Sequence, residues 1–300
     1  MTATYEAATS VDAALAALAA GARPIAGGSD LVISARNGKA PLPERLVAIH
    51  GIGALRSIEA GGGGLRIGAL ASHADLVAHA LVRDRYPALA DASAIVGSHA
   101  TRNVGTLGGN VMNGSPAMDT GGALICFGAI ATLASTTGTR TLPVADLFVG
   151  PGRTSARPDE LLTQIELPGL PAATGSCYVR LEYRRQMEIA IVGATCVLSL
   201  QDGRIADARI AITALAPTIH RVAEAEAALN DTDGGDEAVR AAADAAAAGS
   251  RPISDVRGSE RYRRAMAAVI ARRAIVAALA RARGEHVPIP ASPALHGVDA

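Results

Sequence analysis

Ile25-Ala26-Gly27-Gly28-Ser29-Asp30-Leu31 is the stretch on which the fold turns. Arg23 to Ala26 reads as a short strand, Gly27-Gly28 breaks it, and the spacing from Ser29 to about Arg36 predicts a helix. Paired glycines let a backbone come within hydrogen-bonding distance of a pyrophosphate, and a helix N-terminus adds free N–H groups and partial positive charge. The same residues also suit an ordinary tight turn in which Ser29 or Asp30 caps the helix, the commoner reading of so short a pattern.

Outward from this unit, Ser10 is a good N-cap for a helix carrying Val11, Ala14, Leu15 and Leu18, and Gly21 stops it. Short β-like runs follow at residues 46–49, 55–59 and 65–69, the last two joined by the glycine tract at 61–64. Ser72 and Asp75 open another helix as a capping box. Residues 91–115 match neither period and read as a long glycine-rich loop. A helix at about 118–127 and strands at 130–134 and 161–167 come next, and Pro168 with Pro171 marks a domain boundary near residue 170. Beyond it, strands at 177–185, 189–200 and 204–213 form an antiparallel sheet, with a hairpin at Asp202-Gly203. Helices follow at 219–229, 236–247 and 259–283, the last with Arg-rich turns in solvent. The fold class is α+β: an α/β domain, then a sheet-plus-helices domain.

Composition narrows the function. Lys+Arg 28 against Asp+Glu 28 gives no net charge, and so no basic field for nucleic acid. Aromatic residues make up 2% of the chain, with no Trp, which removes the stacking platforms that single-stranded bases need. Lys39 is the single lysine, so Schiff-base chemistry would rest on it alone. Cys126, Cys177 and Cys196 are too scattered for a disulfide framework, a structural zinc site or a four-thiolate cluster. With no transmembrane run and no signal-peptide pattern, the expected location is the cytoplasm.

Two further segments could carry chemistry. Residues 100–110, Ala-Thr-Arg-Asn-Val-Gly-Thr-Leu-Gly-Gly-Asn, run on to Asn113, Ser115-Pro116 and Asp119. They offer glycines for close approach, Thr101, Thr106 and Asn110 as polar partners, Arg102 and one carboxylate, an inventory that suits a polar phosphorylated ligand rather than a metal. The alternative is a surface loop bonded to itself. The third segment is Arg184-Arg185-Gln186-Met187-Glu188-Ile189-Ala190, which together with Arg180 suits a phosphate, an acidic partner surface or a solvated hairpin. No Walker lysine, G-x-S-x-G elbow, H-E-x-x-H or G-x-G-x-x-G motif is present. The histidines are isolated in sequence; His50, His73 or His99 could in principle tether a flavin covalently, but a lone His is more often a surface or capping residue.

In order and spacing, Ala26 to Leu31, Ala100 to Asn110 with Ser115-Pro116 and Asp119, and Arg184-Arg185 with Ile189-Ala190 resemble the FAD-binding medium subunit of the molybdenum hydroxylases, the xanthine dehydrogenase and carbon monoxide dehydrogenase family. The resemblance spans about residues 1–280. It implies a two-lobed FAD-binding domain of the PCMH type over 1–170, with a small lobe to about 55 and a larger one over 56–170. A C-terminal α+β domain with a three-stranded antiparallel sheet over 171–285 and a tail over 286–300 would follow. It further implies that Ile25, Ala26, Gly27, Gly28, Ser29, Asp30 and Leu31, with Thr101, Thr106, Leu107, Gly108, Gly109 and Asn110, cradle the FAD diphosphate. Asp119 would bond the ribityl chain or nearby backbone, Leu162 would line the adenine or ring pocket, Ile189 would lie near the isoalloxazine face, and Arg180 would belong to the same site. The family often has Lys where Arg180 stands and Asp where Glu188 stands, which changes hydrogen-bond geometry around the flavin. With three isolated Cys, the chain should lack the extra iron–sulfur insertion of some relatives.

The implied function is electron transfer: FAD takes electrons from a [2Fe–2S] small subunit and passes them to a terminal acceptor, while a molybdopterin-binding large subunit hydroxylates the substrate, in an α2β2γ2 assembly. The rivals are a freestanding flavin oxidoreductase, which would need a substrate-facing base or a covalent His, and a cofactor-free scaffold.

Overall fold

The computed structural model describes residues 4–184 and 186–295 and contains three main sheets. The first is built from β1 (Thr4–Ala7), α1 (Val11–Ala19), β2 (Arg23–Ile25), α2 (Ser29–Arg36) and β3 (Arg45–Ala48), with β3 central and parallel to both neighbours. The Ser10 hydroxyl accepts the Ala13 N–H at 3.1 Å, and Ala14, Leu15, Ala17 and Leu18 bury the inner face of α1. In contrast, α2 buries no side chain.

The second unit begins with β4 (Ile58–Gly61) and β5 (Gly64–Gly68), a hairpin closed by Gly61–Gly64. The predicted strand at 55–59 starts late, because Gly53–Leu55 makes a 3-10 turn. Then come α3 (His73–Ala78), α4 (Ala80–Arg85), α5 (Pro87–Ile95), α6 (His99–Val104), α7 (Leu107–Asn113) and α8 (Asp119–Phe127). The capping box is present: Ser72 Oγ accepts the Asp75 N–H at 3.1 Å, and Asp75 accepts the Ser72 N–H at 3.0 Å. The long loop expected over 91–115 is instead mostly helical. Its helices are short and start on Pro87, Ser98 and Thr106, so no single stretch is long enough to display a clear 3.6-residue period. β6 (Ile130–Ser135), β7 (Gly138–Pro143), α9 (Val144–Leu147), the small ribbon β8 (Phe148–Gly150) and β9 (Arg153–Thr154), and β10 (Leu161–Leu167) complete an antiparallel sheet of order β4-β5-β10-β6-β7.

The third sheet holds β11 (Thr174–Leu181), β12 (Val192–Gln201), β13 (Arg204–Thr213) and β14 (His220–Arg221) in that order. Asp202 at φ 51° and Gly203 at φ 77° form the β12–β13 hairpin that their sequence announces. The helix expected at 219–229 shrinks to α10 (Ala223–Ala227), because His220 and Arg221 pair with β13 and add a fourth strand at the edge. α12 (Glu260–Ala282) packs on one face of the sheet with α11 (Asp236–Ala248) against it, and α5 and α8 from the preceding unit meet the sheet on their own side. Gly175 in β11 is a close-approach position, since a Cβ there would overlap the Ala278 carbonyl and the Ala282 nitrogen of α12. α13 (Ala291–Leu295) closes the described chain.

Sequence reading put the arginines of α12 in solvent, but Arg263 is buried and the Arg281 side chain is largely covered. Arg263 donates to the Ile191 and Ala214 carbonyls, both at 3.2 Å, and to Asp255 at 2.6 Å. Arg281 reaches Asp91 of α5 with Nη1 at 2.6 Å and Nη2 at 3.1 Å. The Tyr178 and Ala291 N–H groups donate to the same carboxylate, and Arg281 also donates to the Ser176, Val287 and Pro288 carbonyls. Burial raises the Asp91 carboxyl above its ordinary value, and the Arg281 bonds offset part of that rise. Among the described residues no helix is long and apolar enough to cross a membrane. Removing one charge should strand the other: Asp91→Ala is expected to cost about 3–5 kcal/mol, with part recovered in Asp91→Leu/Arg281→Met, as read from urea denaturation midpoints of the three variants.

Candidate functional site

The turn after β2 is capped by neither Ser29 nor Asp30. Gly28 holds the N-cap position at φ 68°, in the left-handed region that glycine tolerates, and no side chain caps α2. The N–H groups of Gly27, Gly28, Ser29, Asp30 and Leu31 therefore have no hydrogen-bond partner among the described residues; the first bond of the helix is Val32 N–H to the Gly28 carbonyl at 2.9 Å. Successive unsatisfied donors at the start of an eight-residue helix make a ready cradle for an anion. Gly27 is glycine for a steric reason as well, since a Cβ would overlap the Val104 carbonyl. Ile25 lies beneath Gly28, its Cδ1 3.1 Å from where a Cβ would stand.

The contact with Val104 brings the second motif to the first. Gly105 faces Ser29, whose hydroxyl is 3.8 Å from the Cβ position of Gly105. Past it, the motif's N–H groups are taken up by the protein: Leu107 and Gly108 N–H groups donate to the Ala71 and Ala69 carbonyls, both at 2.9 Å, Gly109 N–H to Thr106 Oγ1 at 3.0 Å, and Asn110 N–H to the Thr106 carbonyl at 2.9 Å. Residues 106–110 thus differ from residues 27–31 in kind. They offer the Thr106 hydroxyl proton, the Asn110 amide and the open surface of Gly109, while the backbone donors of residues 107–110 are already committed. Gly108 is closed off against Ala69, and Asn110 Oδ1 accepts from Thr120 at 2.6 Å, tying α7 to α8. Ala69 N–H donates to the Thr163 carbonyl of β10, beside the buried Leu162.

The third group gathers on β11 and α8. Asp119 Oδ1 accepts from the Tyr178 hydroxyl at 2.7 Å, and Oδ2 from Arg180 Nη1 at 2.9 Å. Arg180 Nε donates to Glu182 at 3.2 Å, and its Nη1 to the Glu188 carbonyl at 3.4 Å. Burial raises the Asp119 carboxyl; burial works against the Arg180 charge, but Asp119, Tyr178 and Glu182 outweigh it and raise that guanidinium further. Burial, with Asp119 beside it, also pushes the Tyr178 hydroxyl well up. The segment that follows lies across α6: Met187 N–H donates to the Gly97 carbonyl at 2.9 Å, and Thr101 Oγ1 lies 3.5 Å from Met187 Sδ. Met187 has φ 53°, held by that bond and by Arg184, which donates to the Met187 carbonyl at 2.8 Å and to Glu188 at 3.0 Å. Ile189 is 47% exposed. Arg185 lies outside the described residues.

Two side chains that the sequence offered without a place in the cradle, His73 and Arg102, join these groups. His73, the first residue of α3, is buried; its N–H donates to the Gly105 carbonyl at 3.1 Å and its ring stands against Gly105, which Ser29 also approaches. Arg102 donates to the Val96 carbonyl at 3.1 Å and has no carboxylate partner among the described residues, and its charge acts on both His73 and Arg180. The capping box at Ser72 was the available signal for His73, since it fixes the start of α3; its register opposite Thr106 was not. Among the described residues no cluster of His, Cys, Asp or Glu could hold a metal, and the buried thiols of Cys126, Cys177 and Cys196 are pushed up by desolvation.

Free backbone donors at residues 27–31, the glycine and hydroxyl surface of residues 105–110 brought against them, and on α6 an arginine, Arg102, with no carboxylate partner among the described residues suit an anionic, diphosphate-bearing cofactor. The family model described as the FAD binding domain in molybdopterin dehydrogenase matches residues 1–170, and that described as the CO dehydrogenase flavoprotein C-terminal domain matches 178–278. The carbon monoxide dehydrogenase medium chain of Hydrogenophaga pseudoflava is 34% identical over 90% of this chain and 93% of its own length. The xanthine dehydrogenase FAD-binding subunit of Escherichia coli O157:H7 is 28% identical over 88% and 91%. A solved structure of the Hydrogenophaga carbon monoxide dehydrogenase, in a form lacking the Mo-pyranopterin moiety, superposes with a TM-score of 0.89 at 36% identity over 94% of this chain and 98% of that one. The chain belongs to the molybdenum hydroxylase family, as an FAD-binding medium subunit and so an oxidoreductase flavoprotein subunit. The residues present fit the cofactor, on the ground that the unpaired N–H groups of residues 27–31 lack any other acceptor among the described residues.

Arg180→Met should strand Asp119 and Glu182 without their cation and cost about 3–5 kcal/mol; Arg180→Lys, which keeps the charge but cannot hold two carboxylates with one planar fork, should lose less. Urea denaturation of the pair of variants checks both.

Proposed function

We propose that the chain passes electrons from a [2Fe–2S] small subunit to a terminal acceptor, in the cytoplasm, while a molybdopterin-binding large subunit hydroxylates the substrate, within an assembly of two copies of each chain. The observation that carries this reading is the run of unpaired donors at residues 27–31 closing on Val104 and Gly105. Bound FAD supplies the redox chemistry; the protein supplies binding, orientation and electrostatics.

The N–H groups from Gly27 to Leu31 hold the diphosphate, with Ile25 and Ala26 setting the turn. Thr106 and Asn110 donate from the opposite wall, Leu107, Gly108 and Gly109 shape it, and Thr101 holds Met187 over α6. Asp119 acts through Arg180, because both of its oxygens are taken by protein donors. Leu162, at the bulge of β10, backs the wall from the core, and Ile189 offers an aliphatic cover for the flavin ring. That cover leaves more room for an incoming nicotinamide than a tyrosine would, and neither Tyr178 nor Tyr183 stands in its place.

Gly109→Val adds a Cβ that meets only Thr106 Oγ1, at 2.9 Å, so the purified variant should fold with a near-normal melting temperature yet carry little flavin. Normal flavin content there would refute the cradle. NADH is expected to bleach the flavin absorbance of the assembled complex under anaerobic conditions, and a spectrum left unchanged argues against the nicotinamide reading. Candidate hydroxylase substrates should leave the isolated chain oxidised; rapid bleaching would instead favour a freestanding oxidoreductase.

A further inference from the structure

His73 is placed where the cofactor cleft needs a donor, and three observations fix what its ring presents there. The residue is 1% exposed, so the ring is part of the protein interior rather than a surface titrating group. Its Nδ1 is fully enclosed and has no hydrogen-bond partner among the described residues. Its Nε2 also has no partner among the described residues and, unlike Nδ1, keeps a trace of exposure; the adjacent Cδ2 lies 3.5 Å from the Cβ position of Gly105, which Ser29 Oγ approaches to 3.8 Å. The open edge of the imidazole therefore faces the junction of the two motifs.

The tautomer follows from hydrogen-bond accounting. A proton on Nδ1 would be a buried donor with no acceptor, which is costly, whereas an unprotonated Nδ1 is a weaker liability. The ring proton therefore belongs on Nε2, on the ring edge beside Gly105. Burial lowers the ring's pKa to about 4, with the Arg102 charge adding to the effect, so the imidazole is neutral across the physiological range.

We propose that His73 is a cofactor-positioning residue, a neutral Nε2–H donor to bound FAD at the junction of the Gly27–Leu31 cradle with Gly105. No other side-chain donor from α3 faces this point: the Ser72 hydroxyl and the Asp75 carboxylate are bonded to each other at 2.7 Å. The neutral ring places a donor beside the anionic diphosphate without adding a second positive charge next to Arg102. The inference rests on FAD occupying this cleft.

The test is a titration of the full-length chain, freed of flavin, with FAD, following quenching of flavin fluorescence for wild type and three variants. His73→Leu should weaken FAD binding by about 10- to 100-fold, the range for a hydrogen bond to a charged group. His73→Gln, whose amide nitrogen reaches the Nε2 position, should recover most of the loss; His73→Asn, which reaches only the Nδ1 position, should not. Melting temperatures of the flavin-free variants separate binding from folding, and if the Leu variant fails to fold, the comparison of Gln with Asn decides alone. Binding by His73→Leu within about twofold of wild type, or rescue by Asn in place of Gln, would overturn the proposal. A wild-type chain that takes up no FAD would overturn both this inference and the FAD reading of the cleft, which distinguishes the two failures.

Discussion

The contact between Asp91 and Arg281 holds the two halves of the chain in register. One carboxylate on α5 receives two guanidinium bonds from α12, the Tyr178 N–H of β11 and the Ala291 N–H of the last described helix. Desolvating both ions is costly, and the pair is worth retaining for what it specifies rather than for net stabilisation. What it specifies is the position of β11. With the Tyr178 backbone fixed by Asp91, the Tyr178 hydroxyl and the Arg180 guanidinium meet Asp119 on α8, and Arg180 in turn bonds the Glu188 carbonyl in the segment that crosses α6. The wall of the cleft that includes Ile189 is thus built from the far side of the protein, through a strand that an ion pair holds in place.

The cleft itself is made by an absence of side chains. Gly27 admits the Val104 carbonyl, Gly28 caps α2 without offering a competing oxygen, and Gly109 leaves its surface open. A serine or aspartate cap would satisfy one of the donors that an anion is meant to find. The two glycine motifs are therefore not equivalent: residues 27–31 keep their backbone donors free, and residues 107–110 spend theirs on the protein to hold a rigid opposing surface.

How much of this the sequence discloses depends on range. Local signals were legible: the Ser10 and Ser72 caps, the Gly61–Gly64 and Asp202-Gly203 hairpins, and the strand–turn–helix at residues 23–36 are each decided by neighbours in the chain. The helices between Pro87 and Asn113 were not, because alanine and glycine contribute little hydrophobic contrast and each helix ends before a period can establish itself. Arg281 was invisible as a largely covered side chain, since its partner stands 190 positions away and the surrounding α12 turns carry solvent-facing arginines of the same type. In the site, the motif residues were legible as a group. The division of labour between them was not, because whether a backbone N–H is free depends on the tertiary position of Ala69, Ala71 and Val104.

The near-contact of α12 with Gly175 is one instance of a core that relies on alanine: Ala267, Ala271, Ala274, Ala277 and Ala278 are all buried against the sheet or its covering helix. Alanine brings no rotamer entropy to lose on folding, and it hides less apolar surface per residue than leucine or phenylalanine. Since the heat-capacity increment of unfolding scales with the apolar area exposed, such an interface lowers that increment per residue. Its contribution to stability varies less with temperature than that of a leucine-rich interface of equal length, and so fades less on cooling.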